Sequence, residues 1–217
     1  MKAAITAERA AALIPDGARL LIGGFMGVGS PHRLIDALVA RGAKNLTIIA
    51  NDTAMPGRGI GKLISAGAVA KVIASHIGLN PETQAKMIAN EIEVELVPQG
   101  TLIERIRAGG VGLGGFLTAT GIGTLVEKGK TIIEVAGKPY LLETPLRGDF
   151  ALIAAKQADY YSTLEYSLTA HNFNPIIALA ADMVIAEPHT IVPVGVIPPD
   201  SVKTPGILVT HLLERAF

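Results

Sequence analysis

The sequence predicts an α/β fold: an open, mostly parallel, doubly wound sheet with an irregular β-rich insertion in its second half. Through the first half, short apolar runs that suit buried strands alternate with helical stretches of about ten residues. Between residues 109 and 123 the chain becomes too rich in glycine for a continuous helix. Hydrophobic residues make up 49% of the 217 residues, which is ample material for one core. We therefore expect a single domain over residues 1–217.

The first half divides into alternating strands and helices. We expect strands at 19–22, 46–50, 69–75 and 94–97, and helices at 6–14, 31–41, 60–66, 81–90 and 102–108. Thr6 begins the first helix in this prediction. Asn80 caps the fourth, because it precedes a proline that suits the first helical position.

The second half carries different signals. Residues 131–135 and 140–143, joined by the turn 136–138, are typical of a β-hairpin. Apolar runs at 150–154 and 183–186 indicate buried strands. Five prolines predict an extended, loop-rich course for the last 30 residues.

Composition excludes several classes of function. The net charge is zero and no basic block occurs, so nucleic acid is not an expected partner. No apolar run approaches the roughly 18 residues of a membrane span. The absence of cysteine removes thiol nucleophiles, disulfides and thiolate zinc sites, and the five histidines form no i, i+4 pair, so no metal site is expected. No signal peptide is recognised, so a cytoplasmic location is expected. The mean hydropathy of +0.43 favours a subunit interface.

The most informative segment runs from Asp16 to Pro31 and is typical of a turn, a buried strand, a bare loop and a helix start. Its loop glycines lack side chains, so another group can come close to the main chain. Ser30 is expected as the N-cap of the following helix and Pro31 as its first residue. Free N–H groups at that helix start would favour an anion or a developing oxyanion.

Polar side chains follow neighbouring predicted strands at the same edge of the sheet. Asn51 comes directly after the second strand and Gln99 after the fourth. Ligands bind at the carboxyl ends of parallel strands, and carboxamides donate to a carboxylate or thioester carbonyl without adding charge. His76 belongs to the same edge. For His76 and His171, ligand contact and ordinary packing both remain open.

No complete catalyst is recognisable. Residues 110–115 match G-x-G-x-x-G, but they follow a predicted helix instead of a strand, which argues against a dinucleotide site. A G-x-S-x-G nucleophile elbow is absent. Glu104 is expected to pair with Arg105 or Arg107 on a helix surface.

Motifs along nearly the whole chain together resemble one known family. They are Asp16-Gly17, Gly23-Gly24-Phe25, Gly29, Pro31, Asn51-Asp52-Thr53, Ser75-His76, Pro98-Gln99-Gly100, Arg107-Ala108-Gly109-Gly110, Gly121-Ile122-Gly123, Asn172-Phe173-Asn174-Pro175 and Thr204-Pro205-Gly206. On these residues the sequence resembles the α subunit of the class I CoA-transferases, of the acetate/acetoacetate and 3-oxoacid type.

The resemblance implies an enzyme that exchanges CoA between an acyl-CoA and a short-chain carboxylate through a glutamyl thioester. Its nucleophilic glutamate belongs to a β subunit, in an α2β2 or larger complex, and this chain supplies no catalytic nucleophile. The resemblance assigns Asn51 and Gln99 to the carboxylate pocket as supporting residues. It implies no permanently bound cofactor, with CoA or acyl-CoA as substrate. The loop that it assigns to CoA comprises Gly23, Gly24, Phe25, Met26, Gly27, Val28, Gly29 and Ser30.

Two stretches depart from the family pattern. Ser162 and Thr163 stand where relatives carry a Gly-Asn turn, and His171 replaces an arginine, which removes a fixed charge. Whether Phe25, Met26 and Met55 line an acyl pocket or only pack in the core stays open. The alternatives are a sugar-phosphate isomerase on a related scaffold and a non-catalytic ligand-binding module.

Overall fold

The computed structural model describes residues 4–214 and contains a large, mostly parallel sheet and a small antiparallel one. The strands are β1 (Arg19–Ile22), β2 (Leu46–Asp52), β3 (Val69–His76), β4 (Glu93–Leu96), β5 (Phe116–Thr118), β6 (Ile132–Val135), β7 (Lys138–Glu143), β8 (Gly148–Asp159), β9 (Leu164–Glu165), β10 (Ala181–Val192) and β11 (His211–Leu212). The helices are α1 (Ala7–Ala12), α2 (His32–Arg41), α3 (Gly61–Ser65), α4 (Pro81–Ile88), α5 (Gln99–Gly110) and α6 (Asn174–Ile177).

The large sheet has the order β11-β10-β8-β1-β2-β3-β4, and every neighbouring pair along this path is parallel. Strand β9 pairs with β8 in the antiparallel direction. The small sheet has the order β5-β7-β6 and is the predicted β-rich insertion. The predicted fold class is therefore confirmed.

Alternate residues of the central strand β1 enter two separate hydrophobic clusters, one on each face of the sheet. Leu20 and Ile22 pack in the cluster that α1, α2 and α3 cover. Leu21 packs in the other, with residues of α5 and α6. Because strand side chains alternate between faces, this burial on both sides requires a helix layer on each side of the sheet.

Two strands are longer than the sequence predicts. Strands β8 and β10 each run for 12 residues and pair over most of that length. Strand β10 continues through Pro188. Strand β11 pairs with β10 only at Ile185 and Ala186, so within residues 4–214 no strand lies beside β10 on that side beyond Ala186. The N–H group that proline lacks is not needed at such an edge. The predicted loop-rich end of the chain therefore begins after Val192.

Two predicted boundaries at the carboxyl edge of the large sheet were wrong. Strand β2 continues through Asn51 and Asp52, and helix α5 begins at Gln99, three residues before its predicted start. The short polar segment after Pro98 looked like a turn because Gly100 has low helix propensity. Helix packing against the sheet overrides that preference.

The predicted Asn80 cap of the fourth helix is confirmed, and Thr6, the predicted first residue of the first helix, is its N-cap. The Thr6 hydroxyl accepts a hydrogen bond from the Arg9 N–H at 3.1 Å. Asn80 is fully buried, and its Oδ1 accepts from the backbone N–H groups of Glu82 and Thr83 at 3.1 and 3.2 Å. Its Nδ2 donates to the carbonyl of Thr53 at 3.0 Å. Asn80 thus fastens α4 to the segment that follows β2.

Across residues 4–214, no helix combines the length and apolar character needed to cross a bilayer. The same residues contain no group of three or more histidine, aspartate or glutamate side chains placed to hold a metal ion.

Substitution of the buried cap tests how much it stabilises the fold. We expect Asn80→Ala to lower the free energy of unfolding by about 1–3 kcal/mol, because two helix N–H groups and one buried carbonyl lose their partners. Asn80→Ser keeps a capping oxygen without adding a buried charge and should lose less. Urea unfolding curves measure both variants; equal losses would show that the cap itself contributes little.

Candidate active site

A chain of hydrogen-bonded side chains lies at the carboxyl ends of β2 and β3. Asn51 and Asp52 close β2, and Gln99 opens α5. The Gln99 Nε2 group donates to Asn51 Oδ1 at 2.5 Å, and the Ser75 hydroxyl donates to the main-chain carbonyl of Asn51 at 2.8 Å. The two carboxamides that the sequence singled out are therefore in direct contact.

Asp52 determines how the Asn51 amide is turned. Its buried carboxylate accepts from the backbone N–H groups of Met26 at 2.9 Å and Ala54 at 2.7 Å. It also accepts from Asn51 Nδ2 at 3.0 Å. A carboxylate only accepts, so the Asn51 amide must direct Nδ2 towards Asp52 and Oδ1 towards Gln99.

Sequence reasoning did not assign this role to Asp52. Its neighbours in the sequence suggested an ordinary turn, and a charged residue directly after a buried apolar strand was the only available signal.

The bare loop after β1 is held by two asparagines at the start of α6, Asn172 just before the helix and Asn174 as its first residue. Asn172 Oδ1 accepts from the Gly24 N–H at 3.1 Å, and its Nδ2 donates to the Val28 carbonyl at 3.2 Å. Asn174 is fully buried and donates from Nδ2 to the Gly29 carbonyl at 2.9 Å. Both ends of the loop are thus fixed by side chains about 150 residues away in the sequence.

Close approach explains why Gly23 lacks a side chain. A Cβ built at Gly23 would lie 1.8 Å from Asn174 Oδ1. At Gly24 the φ angle is +133°, and a Cβ there would lie 2.1 Å from the Ser30 hydroxyl oxygen. Glycine at these positions leaves room for the Asn174 amide and the Ser30 hydroxyl. We call the hydrogen bonds from Asn172 and Asn174 to this loop the loop clamp.

The predicted start of α2 was wrong. Pro31, and not Ser30, occupies the cap position, and no side-chain cap bond comes from it. The Glu187 carboxylate instead accepts from the N–H groups of Arg33 at 3.2 Å and Leu34 at 3.0 Å. The long strand β10 carries Glu187 to this edge, so an internal carboxylate occupies the anion position that the sequence left open for a ligand.

A cavity of about 420 Å³ opens beside the amide pair. Its lining brings together three of the predicted site residues, Phe25, Asn51 and Gln99, and none of its lining residues is acidic. Met26 and Met55 do not line it. The remaining lining residues are Ile103, Arg107, His171, Asn172, Phe173, Pro175 and Ile176.

The sequence left open whether His76 and His171 contact a ligand, and the structure places only His171 at the cavity. His171 lines the cavity, and its ring centroid lies 5.7 Å from that of Tyr166. Burial raises the pKa of the Tyr166 hydroxyl, which shares a 2.7 Å hydrogen bond with the Thr204 hydroxyl. His76 is exposed at the end of β3 and does not line this cavity.

Glu104 forms the expected pair on the surface of α5: its two carboxylate oxygens lie 3.2 and 3.1 Å from Arg107 Nε. The G-x-G-x-x-G match begins at the last residue of α5 and leads into β5, so its strand-turn-helix context is absent.

A second cavity, of about 530 Å³, is lined in part by Gly29 and Ser30. Its lining includes Arg33, Lys156 and Glu187. Arg33 pairs with Glu187, and Lys156 pairs with Glu165. Its cationic arginine and lysine therefore already have carboxylate partners.

Comparisons with known proteins point in one direction. The sequence model of the family described as Coenzyme A transferase matches residues 4–215. The chain is 54% identical over 209 residues to the alpha subunit of the acetate CoA-transferase of Escherichia coli K12, covering 96% of this chain and 95% of that protein. It is 50% identical over 208 residues to the acetoacetyl-CoA:acetate/butyrate CoA transferase alpha subunit of Clostridium acetobutylicum, covering 96% and 95%.

A solved structure extends the comparison to the fold. The acyl-CoA transferase of Escherichia coli O157:H7, crystallised as a thioester complex with CoA, matches with a TM-score of 0.87 at 26% identity. The match covers 98% of this chain and 47% of that chain, so this chain spans about half the length of that protein.

The contact between Gly23 and Asn174 gives a test of the loop clamp. We expect Gly23→Ala to destabilise the protein by about 1–3 kcal/mol, because the new methyl group displaces the Asn174 amide. Gly114→Ala is the matched control, since a Cβ there meets no atom within 4 Å. Thermal and urea unfolding measure both variants, and similar losses in the two would contradict the clamp.

Proposed function

The chain belongs to the coenzyme A transferase family, and we propose that it is the α subunit of a short-chain acyl-CoA:carboxylate CoA-transferase. The named substrates of its relatives support exchange of CoA among acetate, acetoacetate and butyrate. We propose a cytoplasmic enzyme in which residues 1–217 form one domain and no cofactor is permanently bound.

The observation that carries this proposal is the pocket formed by Phe25, Asn51 and Gln99, whose lining contains amide donors and no carboxylate. Asp52 lies next to it, but three donors already occupy that side chain. The pocket is therefore suited to binding a thioester or a free acid and lacks a nucleophile of its own. A sugar-phosphate isomerase would need an acid–base carboxylate in this pocket.

We propose that a β subunit supplies the missing glutamate, in a complex of two or more αβ pairs. Its carboxylate attacks the thioester carbonyl and expels the CoA thiolate, which leaves an acyl-glutamyl anhydride. The thiolate then attacks the glutamyl carbonyl, the first acid leaves, and a glutamyl-CoA thioester remains. The second acid reverses these steps and departs as the new acyl-CoA.

Within this scheme, Gln99 is proposed to stabilise the negative charge that develops on the attacked carbonyl. One Nε2 hydrogen is used in the bond to Asn51, and the second is free to donate. Asn51 holds the Gln99 amide in place before the reaction begins, which is the condition for effective electrostatic stabilisation.

We propose that the loop Gly23–Ser30 binds the thiol end of CoA through its main chain. Within residues 4–214, the N–H groups of Gly27, Gly29 and Ser30 have no hydrogen-bond acceptor. The side chains of Phe25 and Val28 are 43% and 40% exposed, so the loop offers apolar surface beside free donors. This combination suits the amide-containing, largely apolar arm of CoA.

Reconstitution tests the proposed subunit role. The chain co-purified with its β subunit should exchange CoA between acetoacetyl-CoA and acetate, whereas the chain alone should show no turnover because it lacks the nucleophile. Turnover by the single chain would contradict the proposal. Borohydride trapping of the glutamyl-CoA thioester should label the β subunit only.

Truncation of the proposed donor tests its contribution to catalysis. In the assembled complex, Gln99→Ala should lower kcat by about 10²–10³-fold, as removal of one preorganised oxyanion donor does elsewhere. Gln99 is exposed, so the unfolding temperature should stay within about 2 °C of the parent. An unchanged kcat refutes the role, and a parallel fall in stability would assign the effect to folding.

A further inference from the structure

Helix α5 carries a line of three residues along the wall of the 420 Å³ cavity. Gln99, Ile103 and Arg107 follow one another at four-residue spacing and all line it. Side chains at i and i+4 lie on one face of a helix, so this line covers about 12 Å of the helix axis.

The Arg107 side chain leans towards the N-terminal end of α5, the end at which Gln99 lies. Helical side chains lean towards the helix N-terminus. The contacts of Arg107 agree: its Nε lies 3.1 Å from a carboxylate oxygen of Glu104, one turn closer to Gln99. The Nε end of the guanidinium therefore lies beside Glu104, in the preceding turn of α5.

The Arg107 guanidinium has donors to spare. Its side-chain hydrogen bonds all involve Nε, so both terminal amino groups are without an acceptor within residues 4–214. Arg107 is the permanent cation among the cavity's lining residues, where His171 is the other titratable group. In the larger cavity, by contrast, a terminal amino group of Arg33 donates to the Glu214 carbonyl at 2.6 Å, and the Lys156 ammonium pairs with Glu165.

We propose that Arg107 binds the carboxylate of the free acid and holds it beside Gln99. This role rests on the proposed function, in which a free carboxylate is a substrate in one half-reaction and a product in the other. A guanidinium presents parallel donors that match a carboxylate in geometry and charge. Glu104 holds Nε and offsets part of the charge, so the acid is recruited and still released.

The test uses the αβ complex and two small probes of similar shape. Methanesulfonate is an anion that cannot be activated as a thioester, and dimethyl sulfone is its neutral counterpart. Their inhibition constants against acyl-CoA are compared in the parent and in Arg107→Gln. We expect the constant for methanesulfonate to rise about tenfold or more, because a charged hydrogen bond is lost. The constant for dimethyl sulfone should change less than twofold.

Three further variants separate charge from structure. Arg107→Lys keeps the charge and should restore methanesulfonate binding to within about threefold of the parent. Glu104→Gln keeps an acceptor for Nε but removes the counter-charge, so methanesulfonate should bind about threefold more tightly. Arg41→Gln is the matched control: Arg41 is also paired with a carboxylate, Asp16, and ends α2 at the opposite edge of the sheet.

The outcomes distinguish this inference from the proposed function. If Arg107→Gln leaves both probes unaffected, weakens both equally, or shifts methanesulfonate binding in the same direction as Glu104→Gln, the role of Arg107 is overturned. If the complex exchanges no CoA at all, the proposed function fails instead. Calorimetric titration of the same complexes with methanesulfonate then still decides whether Arg107 binds an anion.

Discussion

A single buried carboxylate joins the parts of the site. Asp52 receives one hydrogen bond from the loop after β1, one from the segment after β2 and one from the Asn51 amide. Because a buried charge is costly unless its acceptor sites are filled, these three donors are held in place together. The orientation of Asn51, and through it that of Gln99, depends on this arrangement.

The loop after β1 would be poorly ordered by its own sequence, since glycines impose few conformational limits. Residues outside the loop keep it ordered. Asn172 and Asn174 hydrogen-bond its two ends, and Glu187 accepts from N–H groups at the start of α2, the helix that follows. The loop backbone is therefore fixed in advance while its exposed side chains stay available. Preorganisation of this kind reduces the entropy that binding must otherwise overcome.

The amide pair and the arginine of the cavity wall have complementary electrostatic properties. Gln99 offers a neutral donor, suited to charge that appears during reaction, and Arg107 offers a permanent charge, suited to an anion that arrives already ionised.

The sequence by itself determined the fold class, because alternating apolar runs and helical stretches leave few other ways to bury both faces of a sheet. It also indicated the bare loop, the hairpin, the Asn80 cap and the pair Asn51 and Gln99, all of which depend on local residue chemistry. Tertiary structure alone decided the roles of Asp52 and Glu187, the extension of β8 and β10, and the entry of Arg107 into the cavity. Each of these depends on contacts between residues far apart in the chain, about which local patterns carry no information.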